Sequence, residues 1–152
     1  MKEIRRILAP TDYSEHANHA VEYAAGLAQQ LGAELHLLHV LPEVVIPVGP
    51  EPILVPDVPA EYYAETEAAS LEALGKLLQP GWGKPTSSHC SVRWGDTVTS
   101  IVALAEEIQA DLVVIATHGR TGLSHAIMGS VAERIVRESP CPVLTVREHA
   151  KS

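Results

Sequence analysis

The sequence predicts an α/β fold: a doubly wound, five-stranded parallel sheet of order 3-2-1-4-5 with helices on both faces. Three observations carry this. Short apolar runs rich in β-branched residues alternate with longer segments of helical periodicity, giving β-α-β-α-β-α-β-α-β along the chain. Strict alternation with helical crossovers implies parallel pairing and a sheet covered on both sides. Two strands alone run into loops with binding chemistry, Ala9-Pro10-Thr11-Asp12 and Thr117-His118-Gly119. Such sheets bind ligands beyond the strand C-termini, where the winding reverses. Those two strands are therefore expected to be neighbours, which the order 3-2-1-4-5 satisfies.

Each element has its own signature. Arg5 to Leu8 reads as the first strand, leading into Pro10, Thr11 and Asp12. Ser14 is placed to cap the first helix, with Glu15 in its opening turn. Ala17, Val21, Ala24, Ala28 and Leu31 recur at helical spacing, and Gly32 supplies the stop. Glu34 to Val40 is the second strand. Between Leu41 and Ala60 stand six prolines, Pro47, Pro50 and Pro52 among them, so a long loop without regular structure is expected there. Glu61 to Leu78 forms the second helix, ended by Pro80 and Gly81. Ser87 to Trp94 is the third strand, and Asp96 caps a third helix whose inner side carries Val98, Ile101, Val102, Leu104 and Ala105. Asp111 to Ala116 is the fourth strand, Ser130 to Glu138 the fourth helix, and Pro142 to Val146 the last strand.

Bulk properties bound the function. The 152 residues are expected to form one domain, 1–152, large enough for a core without staples. No apolar run approaches a membrane span, and MKEIRRILAP is too short in apolar residues for a secretion signal, so a cytoplasmic protein is expected. Two cysteines, Cys90 and Cys141, make no disulfide framework, and Cys141 between two prolines reads as a small buried residue. A net charge of −8 disfavours nucleic acid, which needs a cationic surface. Lys2, Arg5 and Arg6, with the isolated Arg120, Arg134 and Arg137, read as solvated surface. A small anion is still permitted, because clustered N–H groups act locally.

The stretch DLVVIATHGRTGLSHAIMGSVAERI, Asp111 to Ile135, is the most informative. A buried strand feeds a polar loop with Gly119 and Gly122, and Gly129 and Ser130 then open a helix. Free N–H groups of a first helical turn and the positive end of the helix dipole together hold phosphate. The pattern points to a nucleotide-phosphate site.

These residues resemble the universal stress proteins. ILAPTDYSEHA, LHLLHV and ATHGRTGLSHAIMGSVAERIVRESPCPVLTVR carry the likeness, which covers nearly the whole chain. The ATP-binding branch of that family has Gly, two residues, Gly, nine residues, then Gly-Ser or Gly-Thr. Gly119, Gly129 and Ser130 match; Ala116 stands at the first glycine. The resemblance implies a Rossmann-like fold that binds ATP, with magnesium or manganese as the accompanying cation. It implies that Gly119, Gly129 and Ser130 hold the phosphates through backbone N–H groups and the Ser130 hydroxyl, assisted by Val131. Pro10, Thr11 and Asp12 would line the adenine and ribose end, with Val40 against the base and Ile115 and Ala116 beneath the sugar. In an extended strand the extra methyl of Ala116 costs only steric room; at φ > 0 it would cost on the order of 1 kcal/mol and reshape the pocket.

No lysine follows the glycines, so this is not a Walker loop, and no catalytic residue is assigned. Asp12 can bind a ribose hydroxyl or a magnesium-bound water, or simply close a turn before the helix. His118 reads as a loop histidine touching solvent or neighbouring backbone. No metal ligands are assigned either: His16 and His19 share an exposed helix face without a third ligand, and His36 and His39 point to opposite faces of a strand. There is no G-x-S-x-G elbow for a hydrolase, and Tyr62 and Tyr63 read as packing residues. The last strand, PVLTV, falls at a sheet edge with no blocking charge before Arg147. Both that edge and the family resemblance imply a homodimer through Pro142 to Val146. The expected function is an adenine-nucleotide-binding stress-response regulatory or sensor module with little or no hydrolysis, acting on an unidentified protein partner. The rivals are a dimeric stress-response module without nucleotide and, more weakly, a slow metal-dependent ATPase.

Overall fold

The computed structural model describes residues 2–54, 57–119 and 128–148. Its elements are β1 (Arg6–Pro10), α1 (Glu15–Leu31), β2 (Glu34–Leu41), β3 (Val45–Val48), β4 (Glu51–Leu54), α2 (Ala60–Leu77), β5 (Ser88–Trp94), α3 (Thr97–Glu107), β6 (Leu112–Ala116), α4 (Ser130–Glu138) and β7 (Val143–Val146). Five strands form a parallel sheet of order β5-β2-β1-β6-β7. Counting only this sheet's strands along the chain, that is the expected 3-2-1-4-5. Gly122 and Arg120 lie outside the described residues.

Alternation along the strands divides the core in two. Ile7, Ala9, Leu35, Leu37, Val114 and Ala116 pack on one side beneath α1 and Leu74 of α2. Leu8, Leu38, Val113 and Ile115 face the other way, against Val98 and Ile101 of α3 and Ile135 of α4. The alanine row of α1 (Ala17, Ala20, Ala24, Ala25, Ala28) is fully or almost fully buried, which suits a helix lying close over the central strands. Both helix caps read from the sequence form. The Ser14 hydroxyl accepts the Ala17 N–H at 3.2 Å, and the Asp96 carboxylate accepts that of Thr99 at 2.9 Å. Gly32 adopts φ 65°, the left-handed turn that ends α1, and the following Ala33 N–H reaches Ala28 O at 2.8 Å.

The lower edge of the sheet is fastened by Asp111. Its Oδ2 accepts the backbone N–H groups of Arg5 and Arg6 at 3.0 and 3.1 Å, and its Oδ1 lies 2.7 Å from the Lys2 ammonium. Burial alone pushes this carboxyl up, but the Lys2 contact and the two amides outweigh it and hold the group below the ordinary aspartate range.

One expectation needs correction. The proline-rich stretch after Leu41 is not devoid of regular structure, because β3 and β4 form an antiparallel hairpin. Its turn places Gly49 at φ 73° ahead of Pro50, the left-handed first position of a two-residue hairpin turn. Val48 and Glu51 close that turn, so Pro47 and Pro52 face each other at the next pair, where an antiparallel ladder asks for no N–H bond. Proline is compatible with a two-stranded ribbon at such positions. No helix among the described residues is long and apolar enough to cross a membrane.

Candidate functional site

Beyond the C-terminal ends of β1, β2 and β6 the sheet opens into a cleft of about 300 Å³. That is near the lower end of the roughly 300–1,000 Å³ usual for small-molecule sites. β1 and β6 are direct neighbours, with Ile7 opposite Leu112 and Leu8 opposite Val113. Their outgoing loops therefore diverge at the switch point. Pro10, Thr11, Asp12, Val40, Ile115, Ala116, Gly119, Gly129, Ser130 and Val131, all expected at one site, line this one cleft.

The loop after β1 is internally braced. Thr11 Oγ1 accepts the Tyr13 N–H at 3.0 Å, and Asp12 Oδ1 accepts the Ser14 N–H at 3.0 Å, so Asp12 does close a turn before α1. Tyr13 stands at φ 64°, and its hydroxyl reaches the backbone oxygen and the hydroxyl of Ser70 on α2. His39 Nδ1 lies 2.8 Å from Thr11 O while its ring packs on Tyr13 at 4.5 Å. Together these contacts fix the backbone that carries Thr11 and Asp12.

Across the cleft, two glycines permit close approach. A Cβ on Gly119 would stand 2.8 Å from Asp12 Oδ2, and one on Gly129 would stand 3.2 Å from Thr117 O. The second contact exists because the Gly129 N–H donates to Thr117 O at 2.7 Å, tying the start of α4 to the exit of β6. That bond changes the role expected for Gly129: its amide is engaged within the chain, so its part is to bring the helix end close. The amides left for an anion belong to the next turn. Gly129 brings no capping side chain, and the first N–H bonded inside the helix is that of Glu133, to Gly129 O at 3.0 Å. Ser130, Val131 and Ala132, all on the cleft wall, thus offer uncapped N–H groups at the positive end of α4.

Ala116 has no left-handed backbone; it lies in β6, in register with Val146. Its methyl belongs to the apolar cluster under α1, whereas Ile115 faces the α3 and α4 side with Leu38 and Ile101. The steric alternative therefore holds over the strained one, and the residue is 8% exposed.

Thr117 and His118, read from the sequence as part of a loop with binding chemistry, also line the cleft, whereas Ala17, Leu38, His39, Thr97, Ile101 and Ala132 were not assigned to the site. Thr97 and Ile101, one turn apart on a helix opening just after a strand end, carried a readable signal. His118 shares a 3.0 Å contact with the Thr117 hydroxyl, and its ring lies 5.9 Å from that of His16. His16 is not simply a surface residue, since its Nδ1 stands 3.2 Å from a Glu148 carboxylate oxygen. Tyr63 packs edge-on against Trp94 at 4.8 Å, and the Trp94 indole donates to Glu67 Oε1 at 2.7 Å. Burial pushes the Cys90 and Cys141 thiols up, so both are poor nucleophiles at neutral pH.

The residues present suit an adenine nucleotide. Val40, Ile101 and Ile115 offer an apolar slot, Thr11 and Asp12 bring polar groups, and among the described residues no side chain caps the three amides that open α4. Asp12 is the one carboxylate among the described wall residues, which fits a magnesium or manganese ion held mainly by phosphate and water.

Comparison with known proteins agrees with this architecture. The universal stress protein family matches residues 3–147. Universal stress protein MJ0531 of Methanocaldococcus jannaschii is 32% identical over 150 residues, covering 97% of this chain and 84% of that protein. Universal stress protein UspA from Lactobacillus plantarum superposes with a TM-score of 0.76 at 22% identity, over 97% of this chain and 100% of the other. A universal stress protein solved in complex with cAMP superposes at 0.71 with 24% identity, over 99% and 100%. With fold, strand order and sequence in agreement, the chain belongs to the universal stress protein family.

Proposed function

We propose that the protein binds an adenine nucleotide, ATP, in the cleft between β1 and β6. In this reading it works as a homodimeric stress-response regulatory or sensor module with little or no hydrolysis. The observation carrying this is the convergence of the uncapped Ser130, Val131 and Ala132 amides with the apolar slot of Val40, Ile101 and Ile115. A triphosphate would meet the helix N-terminus and the Ser130 hydroxyl, and the base would lie against Val40. Thr11 and Asp12 would meet the ribose. The complex of a similarly folded relative with cAMP supports an adenine ligand. Slow or absent turnover follows from the wall chemistry: no lysine or arginine stands among its described residues to stabilise charge on a transferring phosphoryl group. β7 pairs with β6 at one end of the sheet order, leaving its outer edge for a second copy.

Thermal shift with ATP, ADP and AMP tests the reading. At 100 times the dissociation constant, binding to the folded state adds about 2.7 kcal/mol. For a chain of this size that raises Tm by roughly 5–11 °C. No shift with any of the three would favour the module without nucleotide. Single-turnover phosphate release with magnesium or manganese should be slow or nil, and fast release would favour the ATPase.

A further inference from the structure

We propose that Glu34, His36 and His89 form a site for a zinc-class divalent metal at the N-terminal edge of the sheet. This is the end opposite the cleft. Their ligand atoms all lie within 4.8 Å of one another. The arrangement follows from strand register. Glu34 and His36 are two apart on β2 and share a face, and His89 is the direct partner of His36 on β5. A separation of 3.4 Å already divides His36 Nε2 from Glu34 Oε2. Two ligands bound at about 2.05 Å in a tetrahedron stand about 3.3 Å apart, so this pair needs almost no adjustment.

His89 supplies the remaining movement. Its ring is stacked on His36 at 4.6 Å with 18° between planes, and stacked rings do not aim both lone pairs at one ion. His89 is exposed, and besides that stacking its described contact is one of 3.3 Å with the Ser87 hydroxyl, so rotation about its side-chain bonds can bring one nitrogen in. His36, with 12% of its side chain exposed, is the fixed ligand. Arg6 Nε lies 3.7 Å from Glu34 Oε2 while its NH1 donates to Ile108 O, which orients the carboxylate as outer partners of metal ligands do. The same positive charge opposes a dication and sets a ceiling on affinity. Two imidazoles and one carboxylate are the ligands of open zinc sites, with water in the fourth position. A bound ion would staple the edge strand β5 to β2 and stabilise the folded chain by mass action.

The test is calorimetric titration of chelator-stripped, untagged protein with zinc chloride, alongside nitrogen-15 histidine NMR. The expected result is one saturable site per chain, with the ring signals of His36 and His89 shifting together. His89→Gln, at an exposed position that tolerates change, should weaken binding at least tenfold, and His36→Gln likewise. His19→Gln should leave it unchanged. Absence of saturable binding, or equal affinity in folded His89→Gln and the parent, would overturn the proposal.

Discussion

Replacing Ala116 with glycine restores the residue that the family pattern has at this position, and the structure predicts that little nucleotide affinity is gained. The methyl lies on the α1 side of β6, within the cluster that holds Ala9, Ala20, Ala24 and Val114, and the residue is 8% exposed. Removing it forfeits about 0.8 kcal/mol of burial. Glycine in a strand interior adds about 0.5–1 kcal/mol of backbone entropy cost. The sum, about 1.5 kcal/mol, corresponds to a Tm lower by roughly 3–6 °C for a domain of this size. Since the backbone at Ala116 is an ordinary strand, glycine relieves no strain there. Calorimetric titration with ATP should therefore show affinity within threefold of the parent, and scanning calorimetry should show the lower Tm. An affinity gain above tenfold would mean that the methyl blocks the ligand, and the assignment of its face would be wrong.

Other perturbations probe the remaining parts. Gly129→Val places a branched side chain where even a Cβ stands 3.2 Å from Thr117 O. It should displace the start of α4 and lower ATP affinity more than tenfold by calorimetry, with the far-ultraviolet circular dichroism retained. Thr145→Pro removes an N–H from the edge strand β7 and should give monomers in sedimentation, an unchanged dimer rejecting that interface. Asp111→Asn weakens the fastening of Arg5, Arg6 and Lys2 and should cost about 1–3 kcal/mol in urea unfolding at neutral pH. Because the folded carboxyl sits below its unfolded value of about 3.9, its contribution is complete above that pH. It is lost as pH falls through the folded value, so the difference between Asp111→Asn and the parent should shrink in acid.

Much of this was legible in the sequence because the signals were local. Ser14, Asp96 and Gly32 act on their own helices, and α4 begins at Ser130 as its pattern indicates. The strand order was legible through chemistry, since only two strands end in loops able to meet a ligand. What escaped depends on pairing. The β3–β4 hairpin was hidden because proline reads as a breaker unless one knows that Pro47 and Pro52 share a pair needing no N–H bond. His36 and His89 lie far apart in sequence, and only the β2–β5 register stacks them. The engagement of the Gly129 amide by Thr117 is likewise a tertiary bond, which no local pattern announces.

The central claim concerns the Ser130–Ala132 amides and the slot beside them, and native mass spectrometry during an ATP titration tests it most directly. One nucleotide mass per chain should be added, saturating with ATP and shifted to more than tenfold higher ATP in Gly129→Val. Spectra that stay free of added nucleotide as ATP rises to millimolar levels, with the protein folded and its assembly intact, would contradict it.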